Sequence, residues 1–335
     1  MKIKDIGEFG FISRLASRCH QTLPEGVVGI GDDCAIIPAP DGRQYAISTD
    51  LLVEGVHFLT SEISGNDLGY KALAVNLSDL AAAGAEPCGA FLSMALPEDA
   101  DVDFLDSFAD GFNGLAQQFH CPLLGGDTTL SKQGIIINIC VIGIRDGNIT
   151  VSRANSQPGD IVCVTGALGD SGAGLEYILA PDKERDSTAN ALIRRHLHPT
   201  SRIEEGKFLA RCKYVHSMMD LSDGLASDIK HILERSGVSA DIELDKLPTS
   251  PLLQQKYGNS PSKLYHYALH GGEDYELLVT VDSKHFADLN VEYQKRFGTA
   301  LYAVGRIVCG DPQHVNYIEN GFGTMPIGSS WEHFC

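Results

Sequence analysis

The chain is poor in cations: 26 Lys and Arg stand against 44 Asp and Glu over 335 residues, a formal net charge of −18. That balance excludes nucleic acid as a main partner, because a phosphate backbone is held by clustered Lys and Arg. No Gly-x-x-x-x-Gly-Lys-Ser/Thr run is present, so there is no P-loop. Neither a Gly-x-Ser-x-Gly elbow nor a His-Glu-x-x-His pair occurs, which removes the esterase and zinc-peptidase readings. The nine cysteines are odd in number and lack any Cys-x-x-Cys. They signal neither a disulfide framework nor a zinc site, and they fit a reducing, cytoplasmic compartment. The longest apolar stretch, 135–144, is interrupted by Asn138 and is too short to cross a bilayer as a helix. The N-terminus lacks the apolar core of a signal peptide, so no membrane partner is expected.

What is present fits a folded protein: 43% hydrophobic and 21% charged residues, too apolar for a disordered chain. At roughly 100–200 residues per domain, the length gives two domains. Short β-branched runs bounded by Gly, Pro or Asp predict strands at 44–48, 89–96, 135–144, 160–165, 215–219, 275–281 and 302–308. Apolar residues at helical spacing predict helices at 67–83, 98–119, 171–179, 201–212 and 222–234. The alternation makes the class α/β or α+β. The polar, turn-rich stretch Arg145–Asp160 divides the chain into expected domains 1–150 and 151–335.

The aspartates fall in unusual places. Asp32 and Asp33 follow Gly31 between two apolar runs, Asp50 ends Ser48-Thr49-Asp50, and Asp127 follows Gly125-Gly126. Asp220 and Asp223 flank Leu221-Ser222 at an expected strand-to-helix junction. If the helix has begun by Asp220, the spacing puts both carboxylates on one face, as it does for Asn76 and Asp79 in the first half. Taken singly, an Asp is a common turn former or helix cap. Asp79 resists that reading, because it lies in an apolar helical run where an unpaired carboxylate is costly. Converging carboxylates need cations, and hard oxygen ligands select Mg²⁺ or Ca²⁺, the former commonly shared with substrate phosphates. The Gly-rich run 165–174 suits either a phosphate cradle or a plain tight turn. Arg153 is either a bidentate phosphate clamp or a solvated linker charge. Trp331, the single tryptophan, either docks the C-terminal tail or stacks on a heteroaromatic ring.

The motifs run in order along nearly the whole chain: Gly7-Glu8-Phe9-Gly10-Phe11-Ile12, Gly29-Ile30-Gly31-Asp32-Asp33, Ser48-Thr49-Asp50 with Glu54-Gly55-Val56-His57-Phe58, and Asn76-Leu77-Ser78-Asp79-Leu80. They continue as Gly125-Gly126-Asp127-Thr128, Asp220-Leu221-Ser222-Asp223-Gly224 and Gly271-Gly272-Glu273-Asp274-Tyr275-Glu276-Leu277. Together they resemble the thiamine-monophosphate kinase family, within the superfamily of aminoimidazole ribonucleotide synthetase and selenophosphate synthetase.

The resemblance implies a two-domain, aminoimidazole ribonucleotide synthetase-like α/β (α+β) fold with mixed sheets flanked by helices. It implies direct, in-line transfer of the γ-phosphoryl group of ATP to thiamine monophosphate, with no general base, since the acceptor is already an anionic phosphate. Several Mg²⁺ ions are implied, held by Asp32, Ser48, Thr49, Asp50, Asp79, Asp127, Asp220 and Asp223. ATP contacts fall to Gly126, Asp127, Arg153 and Ser222, and acceptor contacts to His57, Glu273 and Trp331, with Ser330 where the family carries Gly. A homodimer joined through the N-terminal domains is also implied. Two other readings compete. A selenophosphate synthetase-like enzyme needs a reactive Cys beside a Lys near the N-terminus, where Glu8-Phe9 matches the kinases instead. A Mg-nucleotide-binding protein without turnover is opposed by the full set of acids.

Overall fold

A computed structural model of the chain describes residues 2–19, 22–180, 182–324 and Gly328. Trp331 lies outside the described residues. The first half runs α1 (Gly7–Arg18), β1 (Ala35–Pro38), β2 (Arg43–Val53), α2 (Gly65–Ala82), β3 (Glu86–Leu96), α3 (Val102–Gln118), β4 (Leu123–Leu130) and β5 (Ile136–Asp146). The second half begins with β6 (Ile161–Val164), α4 (Asp170–Ile178), α5 (Ser187–Leu197), α6 (Ile203–Ala210), β7 (Val215–Asp220), α7 (Leu225–Ser236) and β8 (Ser239–Glu243). It ends with α8 (Pro251–Tyr257), α9 (Pro261–His270), β9 (Leu277–Val281), α10 (Phe286–Phe297), β10 (Tyr302–Val308), β11 (Val315–Glu319) and β12 (Phe322–Thr324).

The strands form a five-stranded sheet in the order β1-β2-β5-β3-β4 and a seven-stranded sheet in the order β12-β11-β8-β10-β6-β9-β7. Both are mixed, since β3–β4 and β8–β11 pair parallel among antiparallel neighbours. The mixed-sheet α/β architecture is the one expected from the sequence.

α2 organises the molecule. Ser64 caps it by accepting from the Asp67 N–H. Of its 18 residues, 14 are buried, so it is a core helix with neighbours all round rather than a surface amphipath. Its first turns press against α3: a Cβ on Gly69 would lie 2.0 Å from the Phe108 carbonyl oxygen. Its last turn meets α6, where a Cβ on Gly206 would lie 2.0 Å from the Ala81 carbonyl oxygen. One apolar core therefore runs through both halves, from Ala46, Leu73, Leu77 and Ile139 to Met218, Leu277, Val279 and Tyr293.

One expectation fails. Asp220 is the last residue of β7 and α7 starts only at Leu225, so Asp220 and Asp223 share no helical face. Gly224, with φ of 99°, turns the chain between them and the helix; that conformation suits a residue without a Cβ.

Candidate active site

A cleft of about 580 Å³ is lined from both halves. The Gly31 loop supplies Asp32 and Asp33, β2 supplies Ser48, Thr49 and Asp50, and α2 supplies Asp79. From the second half come Asp220 at the end of β7, Ser222 and Asp223 in the following turn, and Asp228 on α7. Arg153, His57 and Glu273 also border it. Strand ends and turns carry most of these residues because there the backbone can bring side chains from separate elements to one point.

Alternation along β2 turns Ser48 and Asp50 toward α2. Ser48 Oγ donates to Asp79 Oδ2 at 2.5 Å, and the Asp50 N–H donates to Asn76 Oδ1 at 3.2 Å. Ser78, next to Asp79 on α2, donates through Oγ to Asp220 Oδ2 at 2.6 Å. As a result, carboxylate oxygens of Asp33, Asp79 and Asp220 all lie within 4.8 Å of one another. Arg153 is ion-paired with Asp33, and its backbone N–H donates to Asp32 Oδ2 at 3.2 Å. The second oxygen of Asp33 is buried without a hydrogen-bond partner among the described residues. The Asp223 and Gly224 N–H groups both donate to Asp228 Oδ2 at 3.1 Å, fixing the turn that carries Asp223.

Burial, and after it the repulsion of neighbouring carboxylates, pushes these acids upward. Asp32 and Asp50 rise to about 6, with Asp33 the main neighbouring charge. Asp220 rises to about 7 for the same two reasons. Asp79 stands well above the ordinary range, through burial and then Asp50 and Asp220. A group of oxygens this crowded, only partly neutralised by Arg153, suits an oxygen-seeking divalent cation.

The remaining expected residues divide. His57 Nδ1 accepts from the Val53 N–H at 3.0 Å, so the neutral ring carries its proton on Nε2. Glu273 takes a left-handed backbone (φ 54°) held by its N–H bond to the Ser222 carbonyl at 2.7 Å. Gly126 and Asp127 do not line the cleft; they lie on β4, an exposed edge strand. The register Leu51–Asn138–Ser93–Asp127 puts Asp127 on the outer face of the five-stranded sheet, opposite the face of Asp50. Thr49 shares that outer face, where its Oγ1 donates to the Ile139 carbonyl.

The Gly-rich run 165–174 is a tight turn rather than a phosphate cradle. At the start of α4 the Gly169 and Ser171 N–H groups donate to Asp274 at 2.6 and 3.2 Å, so a built-in carboxyl fills the position. Burial raises that carboxyl to about 8.

Some site residues escape motif reading. Asp33 is part of the acid cluster although Asp32 carries the motif. Lys71, 2% exposed on α2, bonds Glu273 from beneath the cleft. The signal was available in principle, because a charge inside an apolar helical run singles out Lys71 as much as Asp79. Asp228 and His196 carry no such mark, since each lies in an ordinary amphipathic pattern.

Family models of AIR synthase related protein match both halves, the N-terminal domain over residues 31–145 and the C-terminal domain over residues 157–317. A thiamine-monophosphate kinase of Haemophilus influenzae is 41% identical over 308 residues, which is 91% of each chain. Among solved structures, AaThiL complexed with AMPPCP and TMP is similar with a TM-score of 0.83 and 35% identity, over 99% of both chains. A thiamine-monophosphate kinase from Stenotrophomonas maltophilia K279a is similar with a TM-score of 0.76 and 33% identity, over 95% of this chain and 98% of that one.

Proposed function

The chain belongs to the thiamine-monophosphate kinase family of AIR synthase related proteins, and we propose from this that it transfers the γ-phosphoryl group of ATP to thiamine monophosphate, giving thiamine diphosphate and ADP. The observation that carries the reading is the meeting of Asp33, Asp79 and Asp220, from three elements in both halves, in one cleft with Glu273 and Arg153. The curated relatives bear the kinase name, and the AaThiL complex holds AMPPCP and TMP in a similar fold.

The chemistry is a single displacement. A terminal oxygen of the acceptor phosphate bonds to the γ-phosphorus as the bond from that phosphorus to the β–γ bridging oxygen breaks, and the electron pair leaves with ADP. Such a transition state is loose and highly charged, so the work is positioning and charge neutralisation. The acceptor phosphate is already ionised, and no residue is assigned as general base. The all-oxygen donor set and the orphaned Asp33 oxygen fit Mg²⁺, with Asp32, Asp33, Ser48, Thr49, Asp50, Asp79, Asp127, Asp220 and Asp223 as its holders. Bound there, Mg²⁺ supplies neutralisation of the phosphate charge and a template aligning the two anions. Arg153 and Ser222, with Gly126 and Asp127, hold the nucleotide. His57 and Glu273 hold the acceptor, together with Trp331, which lies outside the described residues.

Residues 1–150 and 151–335 serve as the two domains, and the active form is a homodimer joined through the five-stranded sheets. Exposed Leu51, Phe91, Leu123 and Leu130 on that sheet, and the unpaired edge of β4, support an interface there. Gly126 and Asp127 lie on this edge and reach the nucleotide only in the joined form. Eight described cysteines are free thiols, which agrees with a cytoplasmic setting. No helix among the described residues is long and apolar enough to cross a membrane.

The test is incubation with ATP, Mg²⁺ and thiamine monophosphate, followed by separation of the products. Thiamine diphosphate and ADP in equal amounts, lost with a chelator, are expected. Nucleotide binding without product would replace the kinase reading by that of a non-catalytic Mg-nucleotide-binding protein.

A further inference from the structure

Lys71 does not border the cleft, yet it is the buried cation of α2, and its contacts reach the second half of the chain. Its Nζ donates to Glu273 Oε2 at 3.0 Å and to His196 Nε2 at 2.9 Å. We propose that Lys71 is a positioning residue for the acceptor subsite, holding the Glu273 carboxylate charged and aimed into the cleft. The inference rests on the reading of Glu273 as an acceptor contact.

The geometry leaves Glu273 little freedom. Its left-handed backbone is uncommon for a residue with a Cβ and persists only when the surroundings fix it. The bond from its N–H to the Ser222 carbonyl fixes the main chain, and Lys71 fixes the side chain. Even so, 26% of that side chain remains exposed at the cleft.

The groups facing Glu273 come from four elements: Lys71 on α2, His196 on α5, His57 after β2, and Tyr275 on its own turn. Burial alone would raise the carboxyl, but the charge of Lys71, with lesser contributions from His196 and His57, holds it below its ordinary range. His196 adds mainly geometry. Burial and the adjacent Lys71 lower it to about 4, so its ring is neutral near pH 7. Nε2 accepts from Lys71, which puts the ring proton on Nδ1, and Nδ1 faces both Ser171 Oγ at 3.0 Å and Glu273 Oε2 at 3.2 Å. A neutral, oriented imidazole beside the pair leaves Lys71 as the nearest full positive charge to Glu273. An acceptor bearing a cationic thiazolium ring then meets a permanent anion over the working pH range.

A purely structural role, pinning α2 to the second half, would act on both substrates and on the melting temperature alone. Lys71→Met, with Lys71→Gln as a second variant that keeps a donor without the charge, separates the two roles. Removing the charge is expected to raise KM for thiamine monophosphate about tenfold or more while KM for ATP moves less than about twofold. The acceptor KM of the variants should worsen more steeply from about pH 8 to about pH 6 than that of the unaltered enzyme, whose own slope belongs to the cleft acids and the acceptor phosphate. Lys71→Arg should restore much of the loss, and in a Glu273→Gln background Lys71→Met should add almost nothing. Equal rises in both KM values, or a pH profile parallel to that of the unaltered enzyme in whichever variant folds, would overturn the proposal. If the unaltered protein forms no thiamine diphosphate, the kinase reading falls, but carboxyl NMR of the free protein still reads the proposal. The Glu273 signal, assigned by its loss in Glu273→Gln, should titrate at higher pH in Lys71→Gln, and an unmoved titration would refute the pairing.

Discussion

Ser78 Oγ donates a 2.6 Å hydrogen bond to Asp220 Oδ2, linking residues 142 positions apart and tying α2 to the end of β7. This bond sets the position of the second half's carboxylate against that of Asp79. Ser78→Ala should weaken Mg²⁺ binding roughly tenfold, since a hydrogen bond to a charged group contributes about 1.5–3 kcal/mol. Titration of Mg²⁺ by calorimetry measures it, and unchanged affinity would show that Asp220 is held by other means.

Asp79→Asn and Asp223→Asn should each lower kcat by about a hundredfold or more with the fold intact, because each removes charge from the point where phosphate charge is neutralised. Steady-state rates at saturating Mg²⁺ decide it. Near-normal turnover in both variants would remove the acid cluster from the mechanism. The metal-free Asp79→Asn protein should also melt higher than the unaltered one, since a buried carboxyl repelled by Asp50 and Asp220 is gone.

The acids also predict a pH signature. Asp32 and Asp50 stand near 6 and Asp220 near 7 when folded, against 3.8 ordinarily. The folded protein therefore holds more protons than the unfolded chain between about pH 4 and pH 7, and stability falls as pH rises through that window. With chelator present, Tm should be lower at about pH 8 than at about pH 5, and added Mg²⁺ should raise it more at the higher pH. An equal Mg²⁺ effect at both values would contradict the assignment of these residues as holders.

Gly69→Ala should destabilise without touching the chemistry. The new Cβ would sit 2.0 Å from the Phe108 carbonyl oxygen, backbone that cannot swing aside. A cost of about 1–3 kcal/mol is expected for such overpacking, read as a lower melting midpoint with KM values unchanged.

Much of the site was legible in the sequence because acids in turns and in an apolar helix are locally anomalous. Asp79 and Asp50 announce themselves in this way, and the mixed α/β class follows from alternating runs. The expected helix over Asp220 and Asp223 failed because apolar spacing cannot register the Gly224 turn or the Asp228 carboxylate that caps it. Asp127 shows a different limit: its motif gives its chemistry, but only strand register reveals that it faces away from Asp50. Lys71 is as anomalous locally as Asp79, but its role is not legible, because its partner, Glu273, lies 202 residues further on.

The shared core has a consequence for synthesis. Leu73 and Leu77 on α2 belong to a cluster that Leu209 on α6 and Met218 on β7 join, and α2 packs directly against both of these elements. When the ribosome has finished β5, the side of α2 that they cover is still bare. At roughly 5–20 residues per second, β7 follows on the order of ten seconds later. The nascent first half must survive that interval as an apolar, unfinished surface, and a chaperone that holds it would act before β7 emerges rather than after release.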